Sequence, residues 1–229
     1  MIHLHPTAPL APRALLPGDP GRALALAQLL MERPRMFNHH RGLWGYTGAA
    51  LEDGEPLTVQ STGMGGPSAA IVVHELCELG LEAGVRVGTC GALDPDLRLG
   101  DLVVASDALA LDGASRALGA GDRVAANPEL VAALRQGAPG ARVGPVASVD
   151  LFYGAGPPPP GALAVEMEAA TLLRLAQLRG LRAGVLLAVT DTFGPGGERR
   201  RIEDDALAGA VERLGRAATA ALRATSSVA

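Results

Sequence analysis

The strongest constraint on this chain is a repeated alternation. Short runs rich in Val and Leu are separated by longer runs with helical spacing. The short runs are Ala14–Leu16, Leu57–Thr62, Gly84–Val87, Leu102–Ala105, Val143–Ala147, Leu163–Met167 and Gly184–Thr190. Most lack polar alternation, as strands buried on both faces should. The longer runs are Gly21–Glu32, Pro67–Leu79, Pro128–Gln136, Glu168–Arg179 and Glu203–Arg223. Pro67 and Pro128 suit the first turn of a helix. Strands interleaved with helices give an expected α/β fold. It is a single domain over residues 1–229, with a central, mixed, mostly parallel sheet flanked by helices. The one low-complexity piece, Gly154–Gly161 (GAGPPPPG), reads as a stiff extended loop.

At 229 residues the chain is long enough to bury a large core without staples. Its net charge of −4, with no basic run longer than Arg199-Arg200-Arg201, gives no footprint for nucleic acid. All twenty cationic residues are arginine. That excludes Schiff-base and Walker-type lysine chemistry. Cys77 and Cys90 cannot make a disulfide framework and fit a reducing compartment. The start, MIHLHPTAPLAP, lacks the basic region and apolar core of a signal peptide. No uncharged apolar run reaches the ~20 residues of a membrane span. The expected location is the cytoplasm.

Ligands in such sheets bind beyond the carboxyl ends of the strands. Five stretches stand there. In Pro17–Arg22 (PGDPGR), Gly18 permits close approach of a ligand to the backbone. Arg22 falls in the first turn of a helix, where free N–H groups and a guanidinium suit an anion. An ordinary capped turn is the alternative. In Val85–Ala92 (VRVGTCGA), Arg86 lies in an apolar strand and needs a fixed partner or a ligand. Thr89 offers a hydroxyl between two glycines. Cys90 reads as a packed cysteine rather than a nucleophile, since no feature marks a histidine as its base. In Ser61–Ser68 (STGMGGPS), three glycines superficially match a dinucleotide turn. Ser68 replaces the last glycine and the acidic partner is missing, so close packing of a turn is the plainer reading.

In Ala164–Ala170 (AVEMEAA), strand spacing puts Glu166 and Glu168 on one side. Paired acceptors there suit vicinal hydroxyls such as those of a ribose. A salt-bridged pair at a helix start is the alternative. In Val185–Gly194, Asp191 ends the most apolar strand, where burial would prepare it as a general acid or where it would cap a turn.

Taken in order, LLPGDPGRA, NHHRGLWGYTG, STGMGGPSAA, VRVGTCGALDPDLRLGDLVVA, SVDLFYG, VEMEAATLL and AVTD resemble the hexameric nucleoside phosphorylases of the purine nucleoside and uridine phosphorylase type. The resemblance implies phosphorolysis of a nucleoside to free base and ribose 1-phosphate. It implies no cofactor, phosphate being a co-substrate, and no metal. It implies a homo-oligomer, a hexamer built from dimers that share active-site residues. Residue by residue, Gly18, Arg22, Arg86 and Thr89 look like the phosphate cradle. Arg41 looks like the arginine that a neighbouring subunit donates to it. Glu166, Met167 and Glu168 look like ribose contacts, and His3 like the histidine reaching the 5′-hydroxyl of a neighbour's nucleoside. Phe152 looks like the aromatic packed on base or sugar. Asp191 looks like the acid that protonates a purine at N7, assisted in the purine enzymes by an arginine for which Arg199, Arg200 and Arg201 are candidates.

On base preference the resemblance divides. Leu111–Ser115 (LDGAS) and Gly180–Gly184 (GLRAG) look closer to uridine phosphorylases, and Asp191 looks like purine enzymes. The segment after DLFY lacks the Gln and Arg that uridine enzymes carry there. The expected function is purine nucleoside phosphorolysis. A uridine phosphorylase is the runner-up, and a non-enzymatic nucleotide-binding module a further alternative.

Overall fold

The run around Arg86 becomes a strand of 10 residues at the centre of the sheet. The computed structural model describes residues 1–153, 161–194 and 198–226. The proline-rich segment read as an extended loop lies, apart from Gly161, outside them. The strands are β1 (Arg13–Leu16), β2 (Met31–Asn38), β3 (Gly45–Ala50), β4 (Pro56–Gln60), β5 (Ala83–Ala92), β6 (Leu102–Ala110), β7 (Arg123–Ala125), β8 (Arg142–Ser148), β9 (Ala164–Glu166), β10 (Arg182–Phe193) and β11 (Arg199–Arg201). The helices are α1 (Pro20–Leu30), α2 (Gly66–Glu78), α3 (Gly113–Ala117), α4 (Pro128–Gly137), α5 (Ala169–Arg179) and α6 (Asp204–Ser226).

Every strand and helix expected from the apolar pattern is present. The sheet is parallel at its centre, where β1 pairs with β4 and β5, and β5 with β10. It is antiparallel at the margins, through β2–β3, β3–β4, β6–β7 and β10–β11, and at two inner joints, β6–β10 and β5–β9. The elements without an apolar signature are these marginal ones. β2 carries Pro34 and sits at the sheet edge, where a missing N–H costs no ladder bond. β11 is three exposed arginines. α3 is a single capped turn.

The pairings close on themselves. β10, β6, β8, β9 and β5 form a ring, and β1, β4, β3 and β2 extend from β5 as a wing. The ring forces β5 to change neighbours along one edge. Its first half pairs with β1 as far as Arg86 opposite Leu16. Its last two residues pair with β9, Gly91 opposite Val165. Residues 87–90 keep β10 on one side and have no strand on the other among the described residues. That fork is a topological switch point, where a ligand can reach the backbone.

Two buried clusters fill the two faces. One unites Val72 and Leu76 of α2 with Leu172 and Leu173 of α5. The other unites Leu26 of α1, Leu130 and Leu134 of α4, and Leu214 and Leu222 of α6. β10 alternates between them: Leu187 and Val189 face the first, Leu186 and Ala188 the second. An unalternating apolar strand therefore has the physical cause expected of it.

Candidate active site

At the fork, even-numbered β5 residues face α2 and α5, and Arg86 is one of them. Its residue is only 3% exposed. Its Nε donates to Glu166 Oε2 at 3.0 Å, and its NH2 group donates to Glu168 Oε2. Burial works against the guanidinium charge, but Glu168 and Glu166 outweigh it and hold the pKa above the ordinary arginine value. Gly88 makes room for this fold-back. A Cβ there would stand 2.9 Å from the guanidinium carbon. Thr89 is half-buried in the stretch of β5 that lacks a second neighbour, and its hydroxyl has no partner among the described residues.

The two glutamates do different jobs. β9 ends at Glu166 and the backbone turns, so both carboxylates converge on one guanidinium, as their spacing suggested. Glu166 caps α5 from two residues upstream. It accepts the Glu168 N–H at 2.8 Å and the Ala169 N–H at 2.9 and 3.0 Å. The Ser148 hydroxyl also donates to it. Each of its hydrogen-bond partners is a donor, so the salt-bridged helix start describes Glu166 well. Glu168 instead reaches across to the glycine turn, accepting the Gly65 N–H at 2.5 Å on Oε1. Met167 between them is half-buried.

The PGDPGR turn closes the same corner. Asp19 caps α1 by accepting the Arg22 N–H at 2.7 Å. Gly18 lies against both other parts, since a Cβ on it would meet the Gly63 carbonyl at 3.1 Å and Arg86 NH1 at 4.0 Å. The Arg22 side chain comes no closer to a carboxylate than 4.0 Å, to Asp19. Burial lowers its pKa; Asp19 partly compensates and Arg86 lowers it further. A second cation held this way beside Arg86 is ready for an anion. The glycine turn itself is tightly packed. A Cβ on Gly66 would meet Thr171 Oγ1 at 2.6 Å, and Ser68 Oγ donates to the Thr62 carbonyl at 2.7 Å.

Asp191 sits on the other side of β5, opposite Gly91. A bulge precedes it: Val189 pairs with Cys90 and Asp191 with Gly91, leaving Thr190 extra. Bulges re-aim side chains in this way. Asp191 is buried; it accepts from Arg199 Nε at 2.8 Å and from the Thr190 hydroxyl at 2.9 Å. Of the three candidate arginines, Arg199 is therefore the one on Asp191. Its guanidinium carbon also lies 4.5 Å from the centre of the Phe152 ring, which is half-exposed. Phase of chain and hydrogen bond thus join Asp191, Arg199 and Phe152 into one wall.

Among the described residues, no hydrogen bond or ion pair links His3 or Arg41 to Arg22, Arg86, Glu166 or Glu168 of the same chain. Arg41 is exposed on a turn with left-handed backbone, φ 58°. His3 Nδ1 is 3.0 Å from Glu75 Oε1 near the far end of α2. Both lie close enough to His40 to perturb its charge, and His40 stacks on His5 with ring centroids 3.9 Å apart. Cys90 is buried, its Sγ 3.6 Å from the Ala188 carbonyl, and burial pushes its thiol up. It is a packed thiol, not a thiolate nucleophile.

Sequence reasoning missed Ser148, Glu75 and the choice of Arg199. Ser148 stood in a recognised motif, SVDLFYG; Glu75 carried no signal, being one acid on an amphipathic helix. A groove of about 800 Å³ lies elsewhere, between the ends of α1 and α4 and the side of α6, and holds none of these residues.

The comparisons with known proteins give a family. The model of the phosphorylase superfamily matches residues 12–223. A guanosine phosphorylase of Halorubrum lacusprofundi is 38% identical over 205 residues, 85% of this chain and 84% of that one. A DeoD-type purine nucleoside phosphorylase of Geobacillus kaustophilus is 39% identical over 204 residues, 84% and 86% of the two chains. A uridine phosphorylase of Thermococcus kodakarensis is 38% identical over 214 residues, 81% and 76%. A match spanning both the arginine–glutamate corner and the Asp191 wall leaves one conclusion: the chain belongs to the phosphorylase superfamily.

Proposed function

We propose that the chain is a nucleoside phosphorylase that acts on purine nucleosides, converting nucleoside and phosphate to free base and ribose 1-phosphate. The observation that carries this reading is Arg22 beside Arg86, with Glu168 within bonding distance of Arg86, at the fork of β5. Two cations there suit a phosphate, and a carboxylate beside them suits the hydroxyls of a ribose. Relatives named for guanosine, purine nucleosides and uridine support the reaction class.

The phosphate is held by Arg22, Arg86, Thr89 and the Gly18 turn. It attacks C1′ as the bond from C1′ to the base nitrogen breaks. The electron pair of that bond goes to the base, and Asp191, having taken up a proton from solvent, delivers it to N7. Positive charge builds on the ribose in between, where the bound phosphate stabilises it. Positioning by two arginines makes the attack local rather than bimolecular. Glu168 and Met167 orient the sugar. Glu166, its oxygens already engaged by donors, acts on the ribose by fixing Arg86 and the start of α5. Phe152 packs on the base. The reaction calls for no cofactor and no metal.

Arg41 and His3 serve a neighbouring copy's site in this reading, which makes the working form a homo-oligomer, a hexamer built from dimers. Arg41 is exposed, and His3 is bound to Glu75 rather than to Glu168, which supports that sharing. The two free cysteines are in keeping with a cytoplasmic setting, and no described helix is long and apolar enough to cross a membrane.

Asp191 with Arg199 favours purines, because pyrimidines have no N7 to protonate. Uridine phosphorolysis is the second reading, favoured by the relatives that bear that name. Assay of inosine, guanosine, adenosine and uridine, each with and without phosphate, separates the two. Cleavage of uridine alone refutes the purine assignment, and turnover without phosphate refutes phosphorolysis.

A further inference from the structure

Glu75 gathers four donors on one carboxylate. Its Oε1 accepts the N–H groups of Ile2 and His3 at 3.0 Å, and its Oε2 accepts the Leu4 N–H at 2.7 Å. The His3 ring completes the set through Nδ1 at 3.0 Å from Oε1. Burial pushes the carboxyl up, but the Leu4 and Ile2 amides, the His3 ring and the His3 amide outweigh it and hold its pKa at about 2. A carboxylate cannot donate. The proton between the two groups therefore belongs to His3 Nδ1. In the neutral ring Nε2 is then a bare acceptor, and it has no partner among the described residues. The His3 side chain remains 27% exposed.

We propose that Glu75 is a positioning residue for His3: it fixes the tautomer and the ring so that Nε2 accepts a hydrogen bond from the 5′-hydroxyl of a nucleoside. The proposal deepens the reading above and rests on it. Glu75 lies nine residues along α2 from Gly66, about 14 Å at 1.5 Å per residue. The hydroxyl it serves is accordingly that of a neighbouring copy's nucleoside. Removing the carboxylate frees the ring to flip and lets Nδ1 lose its proton to Nε2, which turns an acceptor into a donor.

The test compares inosine and uridine with their 5′-deoxy counterparts, all with phosphate. In the wild type kcat/KM favours the 5′-hydroxyl form. In Glu75→Gln that preference falls about tenfold, the size of one good hydrogen bond, while the 5′-deoxy substrates are turned over nearly as before. His3→Ala loses the same preference, and adding Glu75→Gln to it costs nothing more. Loss on both substrate types alike, or costs that multiply in the double variant, overturns the proposal, because a purely structural clamp gives those results. A second measurement needs no variant: 15N spectra of the wild type show His3 protonated at Nδ1 at neutral pH, and protonation at Nε2 overturns it. Absence of phosphorolysis on all four substrates is a different failure, that of the proposed function itself.

Discussion

Single residues at the fork decide whether an anion finds two ready cations. Gly88 is the least obvious of them. A methyl group there meets the Arg86 guanidinium at 2.9 Å and Leu187 at the same distance, so Arg86 must leave its place between the glutamates. Gly88→Ala should raise KM for phosphate at least about tenfold, in keeping with loss of one charged hydrogen bond, while far-ultraviolet circular dichroism stays unchanged. Asp191 tests the other half of the chemistry. Asp191→Asn should slow inosine by roughly 10²-fold or more. It should spare 7-methylguanosine, whose base leaves without protonation at N7. Equal losses on the two nucleosides remove Asp191 from the role of acid. At this scale the sequence was legible where a residue type contradicts its surroundings. An arginine in an apolar strand and two acids in an apolar run both demanded partners, and they proved to be each other's. What could not be read was division of labour. Nothing in AVEMEAA says that Glu166 caps a helix while Glu168 crosses to the glycine turn, because that depends on where β9 stops.

Elements position these groups through their ends. α5 starts where Glu166 and Ser148 supply its caps: the Ala170 N–H donates to Ser148 Oγ at 2.8 Å, and the hydroxyl donates onward to Glu166. Ser148→Ala strands one buried amide and removes one of the two donors to Glu166 Oε1. It should cost about 1–3 kcal/mol of stability in urea unfolding. The N-terminal segment depends on α2 through Glu75. The folded pKa of that carboxyl, about 2, is depressed from its ordinary 4.5, so it contributes stability above the ordinary value that is lost as pH falls through the folded one. Acid titration should therefore release residues 2–4 between about pH 5 and pH 2, read by amide exchange, and Glu75→Gln should remove that step. The strands of the centre were legible because burial on both faces leaves an unbroken apolar run. β2, β3, β7 and β11 were not, because an edge strand needs neither alternation nor hydrophobicity: β2 tolerates Pro34 and β11 is wholly arginine. The bulge before Asp191 is equally silent in sequence, since it is a mismatch between two strands and belongs to neither.

For the whole molecule, the closed ring of five strands explains why so many dispersed motifs meet. Closure makes β5 exchange β1 for β9, and the gap left between them gathers the PGDPGR turn, Arg86 and the start of α5 at one corner. The bulged end of β10 brings Asp191 alongside, and β11 folds back to set Arg199 against it and Phe152. No hydrogen bond or ion pair among the described residues joins His3 or Arg41 to that corner, and in the proposed mechanism assembly supplies those two contacts. The measurement that bears most directly on this account is release of free base from inosine, guanosine, adenosine and uridine with and without inorganic phosphate. Purine nucleosides should be cleaved only when phosphate is present, with ribose 1-phosphate formed in equal amount. Base release that ignores phosphate, or none from any of the four, would contradict it.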